Sequence, residues 1–398
     1  MKKRIRITIW WCALVSVIFI PFAHVQAAPP AIQTNAVGAS LIDVESGRIL
    51  YNEKGDVPMR IASLTKIMTA IIAIENGKLT DKVKVSKNAF GKEGSSLYLK
   101  LGEEMRLHDM LYGLMMRSGN DAATAIAEHI GGSVEGFVYL MNEKAKMLGM
   151  EHSHFTNPSG LDEGDGHRSS PNDMAKLTAY ALKNAVFQDI VSTKLKKVPN
   201  PNETWDYSWL NKNKMLSLFE GADGVKTGYT KLAKRCLVSS ATKDGHQLAV
   251  VTLNDGNDWA DHARLLQYGF KYYPLQTVVK KGDEVESSPW VAGRAFSYPL
   301  AEGEAALLSK KVELTDPAST AYRLGERGTL QVMLKEKRIQ TIPIYDKTSK
   351  LMQQPVSQTT FSFQQGKVYQ ETLLSRYGLI CRMLIQKLFT LSESEWAD

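Results

Sequence analysis

Cysteine is nearly absent: the 398-residue chain contains three. Cys12 lies in an N-terminal apolar segment, and Cys236 and Cys381 are too far apart in sequence for metal-ligand spacing or a disulfide framework. Cys236 sits in the apolar run Cys236-Leu237-Val238 and is predicted to be core. Long hydrophobic runs are also missing. Beyond the N-terminus no stretch reaches the ~18 apolar residues of a spanning helix. There is no repeat of fixed period, and no basic stripe alternates with aromatics, so nucleic acid is not an expected partner. With 43% hydrophobic and 23% charged residues the composition is that of an ordinary globular protein, which excludes disorder, collagen and coiled coil. The length accommodates two or three domains.

What is present begins at the two ends. Lys2, Lys3, Arg4 and Arg6 precede an apolar run from Ile7 to about Ala23, and Val25-Gln26-Ala27 follows. This is the pattern of a secretory signal peptide cleaved after Ala27, with a permanent N-terminal anchor as the alternative. The segment 1–27 carries four basic and no acidic residues, so its removal takes the formal net charge from +7 to +3. At the C-terminus, residues 367–391 are predicted to form an amphipathic helix. Leu373, Leu374, Tyr377, Ile380, Leu384, Ile385 and Leu388 fall on one arc, and Ser375, Arg376, Arg382, Gln386 and Lys387 on the other, with Leu379, Met383 and Phe389 intruding there. Basic residues opposite aliphatic ones suit a helix lying in a membrane interface; a helix docked on its own domain is the alternative.

Between the ends, residues 28–275 are predicted to form one domain. Strands at Val37–Asp43 and Arg48–Tyr51 flank the turn Glu45-Ser46-Gly47. Helical periodicity covers Ser63–Glu75, Met105–Met116, Ala122–His129, Val134–Leu148 and Asn172–Lys183. Strands return at Gly224–Tyr229, Arg235–Ala241 and Gln247–Leu253, and a helix runs from about Trp259 to Tyr272. Strands at both ends of the segment with helices between them imply an α+β domain, an antiparallel sheet covered by helices. Residues 276–366 change to short alternating runs such as Lys311–Leu314, Thr329–Leu334 and Ile339–Tyr345, predicting a small β-rich domain.

Three short motifs in the first domain carry chemistry. In Ser63-Leu64-Thr65-Lys66 the hydroxyl and amine are three apart and share a helix face. A lysine whose pKa is depressed can take the serine proton and make it a nucleophile. Ser240-Ala241-Thr242-Lys243 matches the same pattern, but it ends a strand and is read as coincidental. In Ser118-Gly119-Asn120 a second hydroxyl can relay protons, and Asn120 offers a donor and an acceptor to a substrate amide. In Lys226-Thr227-Gly228, followed by Tyr229, a strand can pair with an extended peptide. Gly228 leaves room for it, and Lys226 and Thr227 suit a carboxylate. In average composition the three motifs in this order arise by chance roughly 0.003 times per chain, and together they are the set of penicillin-binding proteins and β-lactamases, with Ser-Gly-Asn in the second place.

With these motifs the chain resembles the low-molecular-mass penicillin-binding D-alanyl-D-alanine carboxypeptidases. The resemblance extends through Arg60-Ile61-Ala62, Leu114 to Ala123, Phe155-Thr156-Asn157-Pro158-Ser159-Gly160-Leu161 and Gly224 to Thr230. The runs 131–150 and 230–235 look closest to the sporulation-associated enzymes of spore-forming Gram-positive bacteria. The resemblance implies the β-lactamase/penicillin-binding-like transpeptidase fold, no cofactor and no metal. It also implies removal of the terminal D-alanine from peptidoglycan pentapeptide stems, and capture of β-lactams. Ser63 would be the acyl-enzyme nucleophile, Lys66 its general base and Ser118 a proton relay. Asn120 would hold the substrate amide, Lys226 and Thr227 the terminal carboxylate, and the N–H groups of Ser63 and Tyr229 the oxyanion. The β-rich domain would be a pedestal and the terminal helix would rest on the outer face of the cytoplasmic membrane.

Three rival functions are weighed against this one. A β-lactamase needs an extra carboxylate to activate water; Asp162, Glu163 and Asp165 are present, without Glu followed by Leu-Asn. A zinc hydrolase would draw on Glu151, His152, His154 and His167, which lack His-Glu-x-x-His spacing. A silent wall-binding module would have no need of the complete set of hydroxyls and amines.

Overall fold

The computed structural model describes residues 29–285 and 288–353. The signal-peptide and terminal-helix expectations lie outside the described residues. Two compact units divide at Leu266/Gln267, inside the helix Asp258–Tyr272.

The first unit is built on a five-stranded antiparallel sheet. Its order is Ile49–Glu53, Ala36–Asp43, His246–Asp255, Lys234–Lys243 and Ala222–Thr230. The first two strands form the predicted hairpin, and the last three form a meander. Chain ends therefore meet in the middle of the sheet, and Ala222–Thr230 is left at an edge. The middle strands read as near-continuous apolar runs, such as Leu248 to Leu253, because both faces are covered.

Helix Lys66–Asn76 runs through the core: every residue from Lys66 to Ala73 is buried. Apart from Lys66 and Thr69, whose polar atoms are hydrogen-bonded, the run Lys-Ile-Met-Thr-Ala-Ile-Ile-Ala is apolar all round, which suits a central helix and no surface one. Around it pack Leu107–Tyr112, Asn120–Gly131, Val134–Met147, Pro171–Ala181 and Ala185–Ser192. Ser133 and Ser170 cap two of these, accepting from Gly136 N and Asp173 N.

The structure departs from the periodicity reading in three places. Met105–Met116 is not one helix. It is a short strand Glu104–Arg106 paired with Lys82–Lys84, then a helix, then a π turn Gly113–Arg117. Helix Ala185–Ser192 and the hairpin Leu195–Val198/Tyr207–Leu210 were not anticipated; their short, mixed runs carry too few periods to register. Ser240-Ala241-Thr242-Lys243 does end its strand, Lys234–Lys243, as expected; Ser240 is buried and donates to Asp223 Oδ1 at 2.5 Å. Finally, Ser63 lies not on the α-helix but on the 3-10 turn Ala62–Thr65 that leads into it.

The second unit is mostly β. Leu275–Val279 pairs with Phe296–Pro299, and a four-stranded sheet follows the order Trp290–Ala292, Lys337–Asp346, Glu326–Leu334, Leu308–Leu314. Leu330, Val332, Ile342 and Ile344 point into its core at the two-residue period of strands. No helix among the described residues is long and apolar enough to cross a membrane.

Candidate active site

Ala62 opens the 3-10 turn with φ +47, a left-handed conformation that reverses the chain coming from Arg60-Ile61. With three residues per 3-10 turn, positions i and i+3 eclipse, so Ser63 and Lys66 stand one above the other. Lys66 Nζ is 3.1 Å from Ser63 Oγ. It also donates to Asn120 Oδ1 at 2.7 Å and to the Ser159 carbonyl at 2.6 Å. Those two oxygens can only accept, so they occupy two N–H bonds of the tetrahedral nitrogen. In the neutral amine the remaining position facing Ser63 is the lone pair. Burial first, then the charges of Lys226 and Lys212, hold Lys66 well below the ordinary lysine value and favour that neutral form.

Ser118 follows the π turn with φ 67 and ψ 35. A π turn followed by a left-handed non-glycine residue is a strained join of the kind found at functional sites. The Ser118 hydroxyl is buried and has no hydrogen-bond partner among the described residues. Asn120 begins the next helix. Its amide is oriented from both sides: Nδ2 donates to the Glu93 carbonyl at 2.6 Å while Oδ1 accepts from Lys66.

The edge strand Ala222–Thr230 closes the site. A Cβ at Gly228 would lie 3.3 Å from the Ser63 nitrogen and 3.3 Å from the Ile61 carbonyl oxygen. The strand thus crosses directly beside the serine turn, and glycine is what permits the approach. Lys226 is buried and donates to the Thr227 carbonyl at 2.7 Å. Burial, with Lys212 adding to it, brings Lys226 down to about 7. Tyr229 is exposed, two-thirds open at the strand end. All eight sequence-predicted residues, Ser63, Lys66, Ser118, Asn120, Lys226, Thr227, Gly228 and Tyr229, therefore lie on the serine turn, the helix junction or the edge strand that meet here. Ser240 lies on the neighbouring strand, hydrogen-bonded to Asp223.

Several supporting groups were given no role from the sequence. Asn157 Oδ1 accepts from Ser159 N at 3.1 Å, Ser159 Oγ at 3.1 Å and Gly160 N at 2.7 Å, shaping the loop that aims the Ser159 carbonyl at Lys66. Gly160, at φ +82, faces the Ala62 carbonyl so closely that a Cβ would overlap it. Asp121 accepts from Leu97 N at 3.0 Å, Leu99 N at 3.2 Å and Ser96 Oγ at 2.6 Å, fastening the 93–99 segment beside Asn120. Asp121 and the Asn157 loop belong to stretches that carried the family resemblance. Lys212, donating to Ser95 Oγ at 3.3 Å, had no local signal at all.

The groups behind the rival functions have other partners. Asp162 and Asp165 pair with Arg60 at 3.2 and 2.5 Å. His167 Nδ1 accepts from Thr156 N at 3.1 Å, so its Nε2–H faces Thr65 Oγ1 at 2.7 Å. Burial first, then His154 and Lys66, lower His167 to about 4, which keeps it neutral. No group of three His, Cys, Asp or Glu able to hold a metal occurs among the described residues. Cys236, paired across the strands with Gly228, is buried, and burial pushes its thiol up to about 12.

A serine on a helix-leading turn, a desolvated lysine against it and an edge strand crossing beside them define a serine hydrolase of the penicillin-binding type. The D-alanyl-D-alanine carboxypeptidase family model matches residues 23–257, and the chain belongs to that family of serine-type carboxypeptidases. It is similar to D-alanyl-D-alanine carboxypeptidase DacF of Bacillus subtilis (strain 168), with 35% identity over 315 residues, 74% of this chain and 80% of that one. DacC of Escherichia coli (strain K12) is 33% identical over 363 residues, 82% of this chain and 87% of its own. Among solved structures, penicillin binding protein 5 from Haemophilus influenzae superposes with a TM-score of 0.65 at 27% identity, covering 80% of this chain and 98% of that one.

Proposed function

We propose that the chain removes the terminal D-alanine of peptidoglycan pentapeptide stems through an acyl-enzyme on Ser63. The neutral Lys66 amine takes the Ser63 proton as Oγ attacks the carbonyl of the penultimate D-alanine. The N–H groups of Ser63 and Tyr229 receive the oxyanion. The C–N bond then breaks, and the leaving amine collects the proton relayed through Ser118. Water, deprotonated by the same lysine, cleaves the Ser63 ester and restores the hydroxyl. Asn120 holds the acyl-side amide, and Lys226 with Thr227 binds the terminal carboxylate. Gly228 admits the substrate along the strand edge. A β-lactam offers the same carbonyl and carboxylate and acylates Ser63 in the same way.

The observation that carries this reading is the placement of Lys66 Nζ, 3.1 Å from Ser63 Oγ with its other hydrogens committed to two carbonyl oxygens. The test is the intact mass of the mature protein mixed with benzylpenicillin, followed by mapping of the modified peptide. An adduct on Ser63, absent from Ser63→Ala, together with D-alanine release from a pentapeptide, is the expected result. No adduct on folded protein would overturn it.

The same proposal includes export by cleavage after Ala27 and action at the outer face of the cytoplasmic membrane, in cell wall or spore cortex. The basic-then-apolar N-terminus and the resemblance of runs 131–150 and 230–235 to sporulation-associated enzymes support it. Residues 28–275 carry catalysis, 276–366 act as a pedestal, and the amphipathic pattern of 367–391 supports a membrane-resting helix. Deleting 371–398 releases the protein from membranes and leaves hydrolysis of a soluble peptide intact; a truncated protein that stays bound refutes the anchor.

A further inference from the structure

Tyr98 stands apart from the other exposed aromatics. The residue is 85% exposed, and its backbone has φ +62, in the left-handed region that bulky residues avoid. That conformation is imposed from both sides. Leu97 N and Leu99 N both donate to the Asp121 carboxylate, and Tyr98 N donates to Ser96 Oγ at 2.9 Å. The same segment is tied to the site at two further points. Asn120 N donates to the Ser95 carbonyl at 2.7 Å, and Asn120 Nδ2 donates to that of Glu93. A rigid clamp thus holds a tyrosine in a costly conformation with its ring in solvent, one short loop away from the residue assigned to the substrate's acyl side.

We infer that Tyr98 is a substrate-binding residue that packs against the stem peptide upstream of the penultimate D-alanine. This rests on the proposed reading of the site, in which Lys226 and Thr227 hold the terminal carboxylate and Asn120 the acyl-side amide. The chain upstream of that amide then leaves past the segment 93–99. The phenol ring supplies an apolar face for the side chains of the stem and a hydroxyl for its amides. The ring reads the length of the peptide rather than its D-alanyl-D-alanine end, so it makes the enzyme prefer a whole stem over a bare acylated dipeptide.

The test compares kcat/KM on acetyl-D-alanyl-D-alanine, a soluble pentapeptide stem and polymeric peptidoglycan. Tyr98→Ala is expected to lose about three- to tenfold on the pentapeptide and nothing on the acetylated dipeptide, and Tyr98→Phe to keep most of the preference. Tyr98→Gly, which suits the left-handed backbone, should fold at least as well as the native chain and show the same selective loss. Tyr139→Ala, on the helix Val134–Met147, serves as an exposed-aromatic control and should change nothing. Equal losses on dipeptide and pentapeptide would overturn the inference, because Tyr98 would then act only by holding Asn120 in place. Loss confined to the polymer would overturn it as well, since the ring would be meeting glycan. If the unsubstituted enzyme releases no D-alanine from any of the three, it is the function of the site that fails, a result separable from either of these.

Discussion

Lys66 Nζ and Asn120 Oδ1 share a hydrogen bond of 2.7 Å, and it fixes how each can act. Asn120 must turn its oxygen to the lysine because its nitrogen is held by the Glu93 carbonyl. Lys66 in turn spends N–H bonds on Asn120 and Ser159 and meets Ser63 with what remains. Replacing Asn120 by Asp would put a negative charge at that distance and raise the lysine pKa, since an opposite charge favours the ammonium. Asn120→Asp is therefore expected to slow acylation by benzylpenicillin at neutral pH and to recover part of the rate as pH rises. A variant that is equally slow at every pH would show that the lysine does not titrate in this step.

Under the proposed mechanism the two buried lysines set the pH profile. Lys66, held below its ordinary value, must be neutral to accept a proton, so kcat/KM rises with pH through its titration. Lys226, lowered to about 7, must be charged to hold a carboxylate, so kcat/KM falls as pH passes that value. Lys212 lowers both. Lys212→Gln is expected to move both limbs of the bell to higher pH on a soluble peptide. Limbs that stay where they are would uncouple Lys212 from the site.

Asn157 is a positioning residue. Asn157→Ala leaves the amides of Ser159 and Gly160 without their acceptor, at a cost of about 1–3 kcal/mol. The Ser159 carbonyl would no longer be aimed at Lys66. Resistance to chemical denaturation and the acylation rate should fall together, and the alkaline limb set by Lys226 should not move. Full activity at reduced stability would confine Asn157 to the fold.

Two glycines separate folding from catalysis. At Gly160 the positive φ and the facing Ala62 carbonyl make an alanine incompatible with the native turn, so Gly160→Ala should yield little folded protein. At Gly228 a Cβ would meet its neighbours at 3.3 Å, so the strand and the serine turn would have to separate by a few tenths of an ångström, a far smaller shift than Gly160 demands. Gly228→Ala should fold and bind substrate poorly, seen as a raised KM in a soluble-peptide assay. An unchanged KM would mean that substrate does not run along this edge.

Stability should fall in mild acid because two histidines are buried neutral. His167 titrates near 4 and His262 near 3 in the folded chain, both lowered chiefly by burial, against about 6.5 when unfolded. Above 6.5 neither state is charged and the full stability is present. As pH falls from 6.5 towards 4, the unfolded chain takes up protons that the native one refuses, and His167 alone removes about 3 kcal/mol. Thermal unfolding followed from pH 7 to pH 4 should show a steeper drop for the native chain than for His167→Gln; parallel curves would remove His167 from the account.

The amino-acid sequence by itself determined the local elements and the chemical inventory. The hairpin around Ser46, the helices whose apolar faces repeat, the meander of strands after Gly224 and the serine, lysine and asparagine of the three motifs were all legible, because each depends on residues a few positions apart. Only the tertiary structure decided which serine stands against a buried lysine. Ser63 and Ser240 head the same four-residue pattern, but Ser63 meets a desolvated lysine and Ser240 is bonded to Asp223. The same holds for the Ser159 carbonyl, for Lys212 and for the clamp that Asp121 places on Tyr98. Hydrogen-bond reach, burial and the field of a neighbouring charge are set by distances through space between segments far apart in the chain, and no local spacing records them.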